Sequence, residues 1–286
     1  MRILVTGGSG QLGTALAPVL EQRGHDAVLL DLEHMDVTDP LATEGVLRSA
    51  GPDAVIHAAA WTDVDGCELD PPRARRVIVE GTRNVVLGAF RALVIVVSTD
   101  FVFDGEAGRA YDETDETGPL QVYGAAKLES EQLALELSGR VAIARTAWLY
   151  APRIASGESP SNFVTAILRN AEAGPLDVVG DQVGSPTSAL DLAPALVDLA
   201  EARATGLYHV ANRGEVSRAT FAREILRHAG LDPALVREVT TADMPPRPAR
   251  RPAFAPLEGK AWRKAGFDDM PPWEDALERT MRELLA

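Results

Sequence analysis

Cysteine is almost absent from this 286-residue chain: Cys67 stands alone, so neither an internal disulfide nor a multi-cysteine zinc site can form. No family-specific cysteine signature surrounds Cys67, which reads as a bystander rather than a nucleophile, and a reducing compartment is the default. Long apolar runs are missing too. None reaches the roughly 18 residues of a membrane span, and the opening ILVTGG is too short for the apolar core of a secretion signal. A cytoplasmic location is expected. Aromatic residues make up only 5% of the chain, and 28 Lys plus Arg face 42 Asp plus Glu, a formal net charge of -14. Such a surface repels nucleic acid and anionic membranes, so neither is expected as a partner. An anionic ligand has to meet positive charge gathered locally, in a loop or at a helix N-terminus.

What is present is a hydrophobic fraction of 46%, enough for a large core. Short apolar runs recur through the first half: Ile3 to Val5, Ala27 to Leu30, Ala54 to Ala60, Leu93 to Ser98 and Val141 to Arg145. Their continuous Val- and Ile-rich character fits strands covered on both faces. Alternation with helical patterns then implies right-handed crossovers in a parallel sheet, hence a doubly wound α/β fold of Rossmann type. Pro18 conflicts with the first helix, Gln11 to Arg23, because proline removes a hydrogen bond and kinks the axis. Gly24 suits the end of that helix. The pattern loosens after about residue 150, through SGESPS at Ser156 to Ser161. Helices are expected at Asn162 to Glu172, Leu190 to Ala202, Ser217 to Ala229 and Trp273 to Leu285, with short strands near Asp177 to Val179 and Leu207 to Val210. The division expected is a dinucleotide-binding domain over 1–150 and a smaller substrate-binding region over 151–286, with elements near 176–210 returning to the sheet.

Directly after the first strand, TGGSGQLG spaces Gly7, Gly10 and Gly13 as GxxGxxG where a helix begins. Without side chains there the backbone turns tightly and approaches a pyrophosphate, and the helix N-terminus favours negative charge. The strand-to-helix context is what turns a weak glycine pattern into a dinucleotide site. Eighteen residues past Gly13, Asp31 stands where a carboxylate accepts a hydrogen bond from an adenosine ribose hydroxyl; a helix or turn cap is its alternative role. No arginine lies beside it to take a 2′-phosphate. The cofactor expected is NADH or NADPH, with NADH favoured.

YGAAK places Tyr123 and Lys127 four residues apart, on one face of a helix. An ammonium beside a phenol, which titrates near ~10 on its own, is expected to lower that value and make Tyr123 a better proton donor. Upstream, the fourth strand ends in STDFVFDG, which delivers Ser98, Thr99 and Asp100 to the carboxyl edge of the sheet, within reach of a bound carbonyl.

Glycine loop, strand-end Thr99 and Tyr–Lys helix, in that order, resemble the extended short-chain dehydrogenase/reductases. The pattern is closer still to the dTDP-4-dehydrorhamnose reductase family. The resemblance runs through nearly the whole chain: TGGSGQLG, HAAAWTDVDGCE, STDFVFDG, VYGAAK, RTAWLY, the NF at Asn162, DQVGSPT at Asp181 and GLYHVAN at Gly206. It implies reduction of the 4-keto group of a dTDP-linked 4-keto-6-deoxy sugar. Tyr123 then gives the proton, Lys127 holds the nicotinamide ribose and tunes Tyr123, and Thr99 orients the carbonyl. Gln11 and Leu12 in the glycine turn, Asp36, and Ala58, Ala59 and Ala60 fall at the cofactor; Thr62, Val64, Asp100, Phe101, Trp148 and Asn162 fall at the substrate. Ordinary packing is the alternative for Trp148.

Related sugar-nucleotide dehydratases read Thr-Asp-Glu after the fourth strand, and Phe101 replaces that glutamate here. A phenylalanine abstracts no proton, so elimination by that route is disfavoured. A sugar-nucleotide epimerase or dehydratase of the same fold and a non-catalytic NAD(P)-binding regulatory subunit are the rival readings. Two departures from the family stand out. Ile78 replaces an Asn that supports a proton-relay water, and Ala15 and Leu190 occupy positions where some relatives carry magnesium-binding glutamates. No metal is expected, and the chain is expected to be a monomer or weak homodimer. For the diphosphate of the substrate, the stretch from Arg247 to Lys264 gathers Arg247, Arg250, Arg251, Lys260, Arg263 and Lys264 against Glu258 alone. Arg250 and Arg251 are the expected diphosphate ligands, by their bidentate reach; a solvated basic loop is the alternative.

Overall fold

Each of the five apolar runs becomes a strand: β1 (Arg2–Thr6), β2 (Asp26–Leu30), β3 (Ala54–His57), β4 (Leu93–Thr99) and β5 (Val141–Thr146). The computed structural model describes residues 1–157 and 160–286, which leaves Glu158 and Ser159 of the SGESPS stretch outside the described residues. A sixth strand, Gly206–His209, joins the far edge, and the order across the sheet is Gly206–His209, β5, β4, β3, β1, β2. Every pairing in it is parallel. The strand order reverses direction at β1, which has β3 on one side and β2 on the other. A crevice opens at such a switch point, beyond the carboxyl ends of the strands.

Both faces of the sheet are covered, as the unbroken apolar runs require. On one side the helix α1 (Gln11–Gln22) packs with the helix Ala189–Glu201 over Ile3, Val5, Ile56 and Ile95. On the other, Leu4, Val55, Val94 and Ile143 meet Leu47 of the helix α2 (Pro40–Ala50), Val85 and Val86 of the helix Gly81–Gly88, and Ala134 of the helix Val122–Leu137. Full burial of an Ile, Leu or Val side chain contributes about 1.5–3 kcal/mol, so this double-sided core is the main source of stability. Pro18 lies inside α1 on its exposed side, and Gly24 ends the helix at φ +69°.

The sequence expectations need two adjustments. The third strand stops at His57 rather than Ala60, because the Thr6 hydroxyl captures the Ala59 N–H at 3.1 Å and draws the chain off the ladder. Of the elements expected to rejoin the sheet, Gly206–His209 and the helix Ala189–Glu201 do; Leu176–Val179 does not, and pairs in parallel with Val236–Val239. That small pair belongs to a second core built on Tyr150, Ile167, Phe221, Ile225, Trp273 and Leu277. The second core sits under the helices Phe163–Ala171, Arg218–His228 and Trp273–Leu284. Among the described residues, no helix is long and apolar enough to cross a membrane.

Candidate active site

The glycine turn is built by exclusion of side chains. Gly7 takes φ +72°, a conformation L residues avoid, and a Cβ there would sit 3.1 Å from the Ala59 nitrogen. A Cβ on Gly13 would run into the carbonyl oxygens of Gly7 and Gly8, so Gly13 serves close packing of α1 on the turn rather than ligand contact. Gly10 precedes the first turn of α1 and donates no side-chain cap, which leaves the N–H groups of that turn without a side-chain acceptor. At the end of β2, both oxygens of Asp31 accept from the Ser9 N–H at 3.0 Å, so the carboxylate is held against the turn.

Beyond β1, β3 and β4 opens a cleft of about 660 Å³. It is lined by Gly7, Gly10, Gln11, Leu12, Asp31, Ala58, Ala59, Ala60, Thr62 and Val64 from the first half of the chain. Thr99, Asp100, Phe101, Tyr123, Lys127, Trp148, Asn162 and Arg218 line it further along. A tight glycine turn leading into a helix N-terminus, a carboxylate at the end of β2 and a lysine within the same cleft fit a nicotinamide dinucleotide.

Thr99, Asp100 and Lys127 are buried and Tyr123 is half-buried beside them in the cleft. Thr99 donates to Asp100 Oδ1 at 3.0 Å and accepts from the Phe101 N–H at 3.2 Å. Asp100 is 2% exposed and its Oδ2 has no protein partner, so burial pushes the carboxyl up to about 7 against the pull of Thr99 and of Arg218. Phe101 meets Tyr123 edge to face at a centroid distance of 6.1 Å. Gly124 makes this contact possible, because a Cβ at that position would occupy the space of the Phe101 carbonyl oxygen.

The expected lowering of the Tyr123 pKa does not occur. Burial pushes the phenol well above its ordinary value, the Asp100 carboxyl adds to this, and the Thr99 hydroxyl acts weakly the other way. Lys127 has no part in it: its Nζ donates to the Val97 carbonyl at 2.6 Å, and burial lowers its own pKa to about 8. Behind it, Glu131 forms a buried ion pair with Arg145 at 2.6 Å and accepts from the Ser98 hydroxyl, which clamps the helix Val122–Leu137 to β4 and β5. Cys67 is fully buried, its thiol pushed up to about 11 by that burial, which suits an inert packing residue.

Four expected site residues have other positions or partners. Asp36 does not line the cleft; its Oδ1 accepts from the Thr38 N–H and hydroxyl, each at 2.8 Å, and so shapes the turn before α2. Arg251 does not line it either, since its guanidinium forks onto Asp65 at 2.5 and 3.0 Å. Arg250 is exposed beside it, also outside the lining. Within the same basic loop Lys260 pairs with Asp112 and Arg263 with Glu258, so much of the local charge is already countered. Asn162 does line the cleft, but its donors go to Gln11 Oε1 and the Ala151 carbonyl at 2.8 and 2.9 Å, while its oxygen caps the helix Phe163–Ala171. Sequence reasoning missed Arg218, which lines the cleft with its guanidinium 3.5 Å from the centre of the Trp148 ring. Nothing in SRATFA distinguishes it from an arginine on the solvent side of a helix.

A family model described as the RmlD substrate binding domain matches residues 1–286. The chain is 41% identical to a dTDP-4-dehydrorhamnose reductase of Mycobacterium tuberculosis over 284 residues, 96% of this chain and 91% of that one. A crystal structure of a dTDP-4-dehydrorhamnose reductase from Clostridium acetobutylicum superposes with a TM-score of 0.94 at 34% identity, covering 100% of both chains. A Bacillus anthracis dTDP-4-dehydrorhamnose reductase, solved in complex with NADP, superposes at 0.93 with 34% identity over 99% of each chain.

Proposed function

The chain belongs to the dTDP-4-dehydrorhamnose reductase family of the extended short-chain dehydrogenase/reductases, and on that premise we propose roles for the individual residues of its cleft. The protein is an NAD(P)H-dependent oxidoreductase that reduces the 4-keto group of a dTDP-linked sugar. The observation that carries the residue assignment is that Thr99, Tyr123 and Lys127 line one cleft with the glycine turn.

When bound, the dinucleotide supplies the hydride. Gly7, Gly10, Gln11 and Leu12 hold its pyrophosphate, with Ala58, Ala59 and Ala60 flanking it. Asp31 accepts from its adenosine ribose; among the described residues lining the cleft, the basic ones are Lys127 and Arg218, neither near β2 in sequence, which favours NADH. Lys127 holds the nicotinamide ribose. Thr99 turns its hydroxyl from Asp100 to the substrate carbonyl and orients it. Tyr123 Oη gives its proton to that carbonyl oxygen as negative charge develops there. The raised pKa of the phenol keeps the proton in place at neutral pH until negative charge develops on the carbonyl oxygen. Thr62, Val64, Phe101 and Trp148 wall the sugar. No side chain at position 101 can remove a proton from carbon, so the dehydratase chemistry of related folds lacks its base.

The test is nicotinamide absorbance with dTDP-4-keto-6-deoxyhexose epimers and either NADH or NADPH. The wild-type protein consumes reduced cofactor in proportion to sugar alcohol formed. Tyr123→Phe slows turnover by about 10²–10⁴-fold. Undiminished consumption in that variant removes Tyr123 as the acid.

A further inference from the structure

Arg218 is the first residue of the helix Arg218–His228, capped by the Ser217 hydroxyl. Its guanidinium lies over Trp148 at 3.5 Å and reaches Phe163 at 4.9 Å, so one face is covered by aromatic rings inside the cleft. Stacking of this kind fixes the plane of the fork and leaves its edges, which carry the N–H donors, pointing outward. Among the described residues those donors have no side-chain hydrogen bond or ion pair, although the protein as a whole is acidic. Asp100 exerts some attraction on Arg218, but it makes no ion pair with it and its own carboxyl holds a proton up to about 7. Arg247 and Arg251 lie near enough to repel it. Three arginine charges from two segments therefore act on one another, Arg218 within the cleft lining and Arg247 and Arg251 outside it, and Arg251 is paired with Asp65, next to the cleft-lining Val64.

A half-buried guanidinium held on aromatic rings with its donors unpaired suits an anion, and an uncharged sugar hydroxyl does not supply that charge. We propose that Arg218 is a specificity-determining residue that receives the diphosphate of the nucleotide-linked sugar on the free edge of its guanidinium, with Arg247 adding charge from the facing loop. This assignment rests on the sugar-nucleotide reading above and replaces Arg250 and Arg251 as the principal diphosphate ligands. It also gives Trp148 a second task, as the platform that holds the fork in plane while its remaining surface meets the sugar.

Calorimetric titration of the full-length protein with dTDP, thymidine and NADH separates the possibilities. In Arg218→Met the Kd for dTDP rises at least tenfold, while thymidine and NADH bind as to the wild type. Arg218→Lys, which keeps the charge and loses the fork, falls between. Retained NADH affinity also establishes that the variants are folded. Unchanged dTDP affinity in Arg218→Met overturns the proposal. So does a parallel loss of NADH affinity, which assigns Arg218 to the cofactor, or a rise in KM for the sugar nucleotide with dTDP affinity intact, which assigns it to the sugar. Failure of dTDP to bind the wild type strikes instead at the sugar-nucleotide reading, and the proposal falls with it.

Discussion

Lys127 donates its ammonium proton to the main-chain oxygen of Val97 at 2.6 Å, and this bond, not a contact with Tyr123, sets where the amine stands in the cleft. The charge is held at the end of β4, one residue before Ser98 and two before Thr99.

Burial lowers Lys127 to about 8, against an ordinary value of 10.5. Between these two values the unfolded chain binds the proton and the folded one releases it, so folding stability without cofactor rises with pH across that window. Urea denaturation at pH 8 and pH 10 is expected to show this rise in the wild type and a smaller one in Lys127→Met. Equal slopes in the two proteins would contradict a buried, depressed lysine.

Asp100 gives the opposite sign. Its folded carboxyl is held near 7, above its ordinary 3.8, so the folded state keeps a proton that the unfolded chain loses, and stability falls as pH rises from about 4 to 7. Asp100→Asn is expected to flatten that decline, by up to about 1.4 kcal/mol per pH unit. The comparison is again by denaturant titration, and an unaltered decline in the variant would place the proton elsewhere.

Gly124 follows Tyr123, the proposed acid, and a Cβ at that position would run into the Phe101 carbonyl oxygen. Gly124→Ala must push the helix Val122–Leu137 away from the turn that carries Thr99, so kcat is expected to fall at least tenfold. The buried Glu131–Arg145 pair keeps the far part of the helix in place, so the protein still folds. Steady-state kinetics together with circular dichroism check both halves; full activity would show that the helix has freedom to shift.

On the proposed assignment, Asp31 is the carboxylate that discriminates between the cofactors. A 2′-phosphate brought against it meets like charge, so NADH is expected to give the higher kcat/KM, and Asp31→Asn to narrow the gap by about tenfold, a difference of 1.4 kcal/mol. Turnover ratios with the two cofactors decide this, and an equal or better rate with NADPH in the wild type would count against the assignment.

Everything that depends on short-range spacing was readable from the order of residues. The apolar runs of β1 to β5 declared a sheet covered on both faces, because a strand exposed on one side cannot carry continuous Val and Ile. Gly7, Gly10 and Gly13 marked the turn, and four-residue spacing put Tyr123 and Lys127 on one side of a helix. Side-chain partnerships across long stretches of chain were not readable. Arg251 reaches Asp65 across 186 positions, and Asn162 reaches Gln11 across 151, so an arginine and an asparagine that looked available to ligand turn out to be engaged. Arg218 went the other way, from an unremarked helix residue to a cation stacked on Trp148 in the cleft. Local periodicity determines which elements form. Only the packing of the second core against the sheet determines which charges are answered within the chain, because a charge pairs with whatever the fold brings within a few ångströms, wherever that lies in sequence.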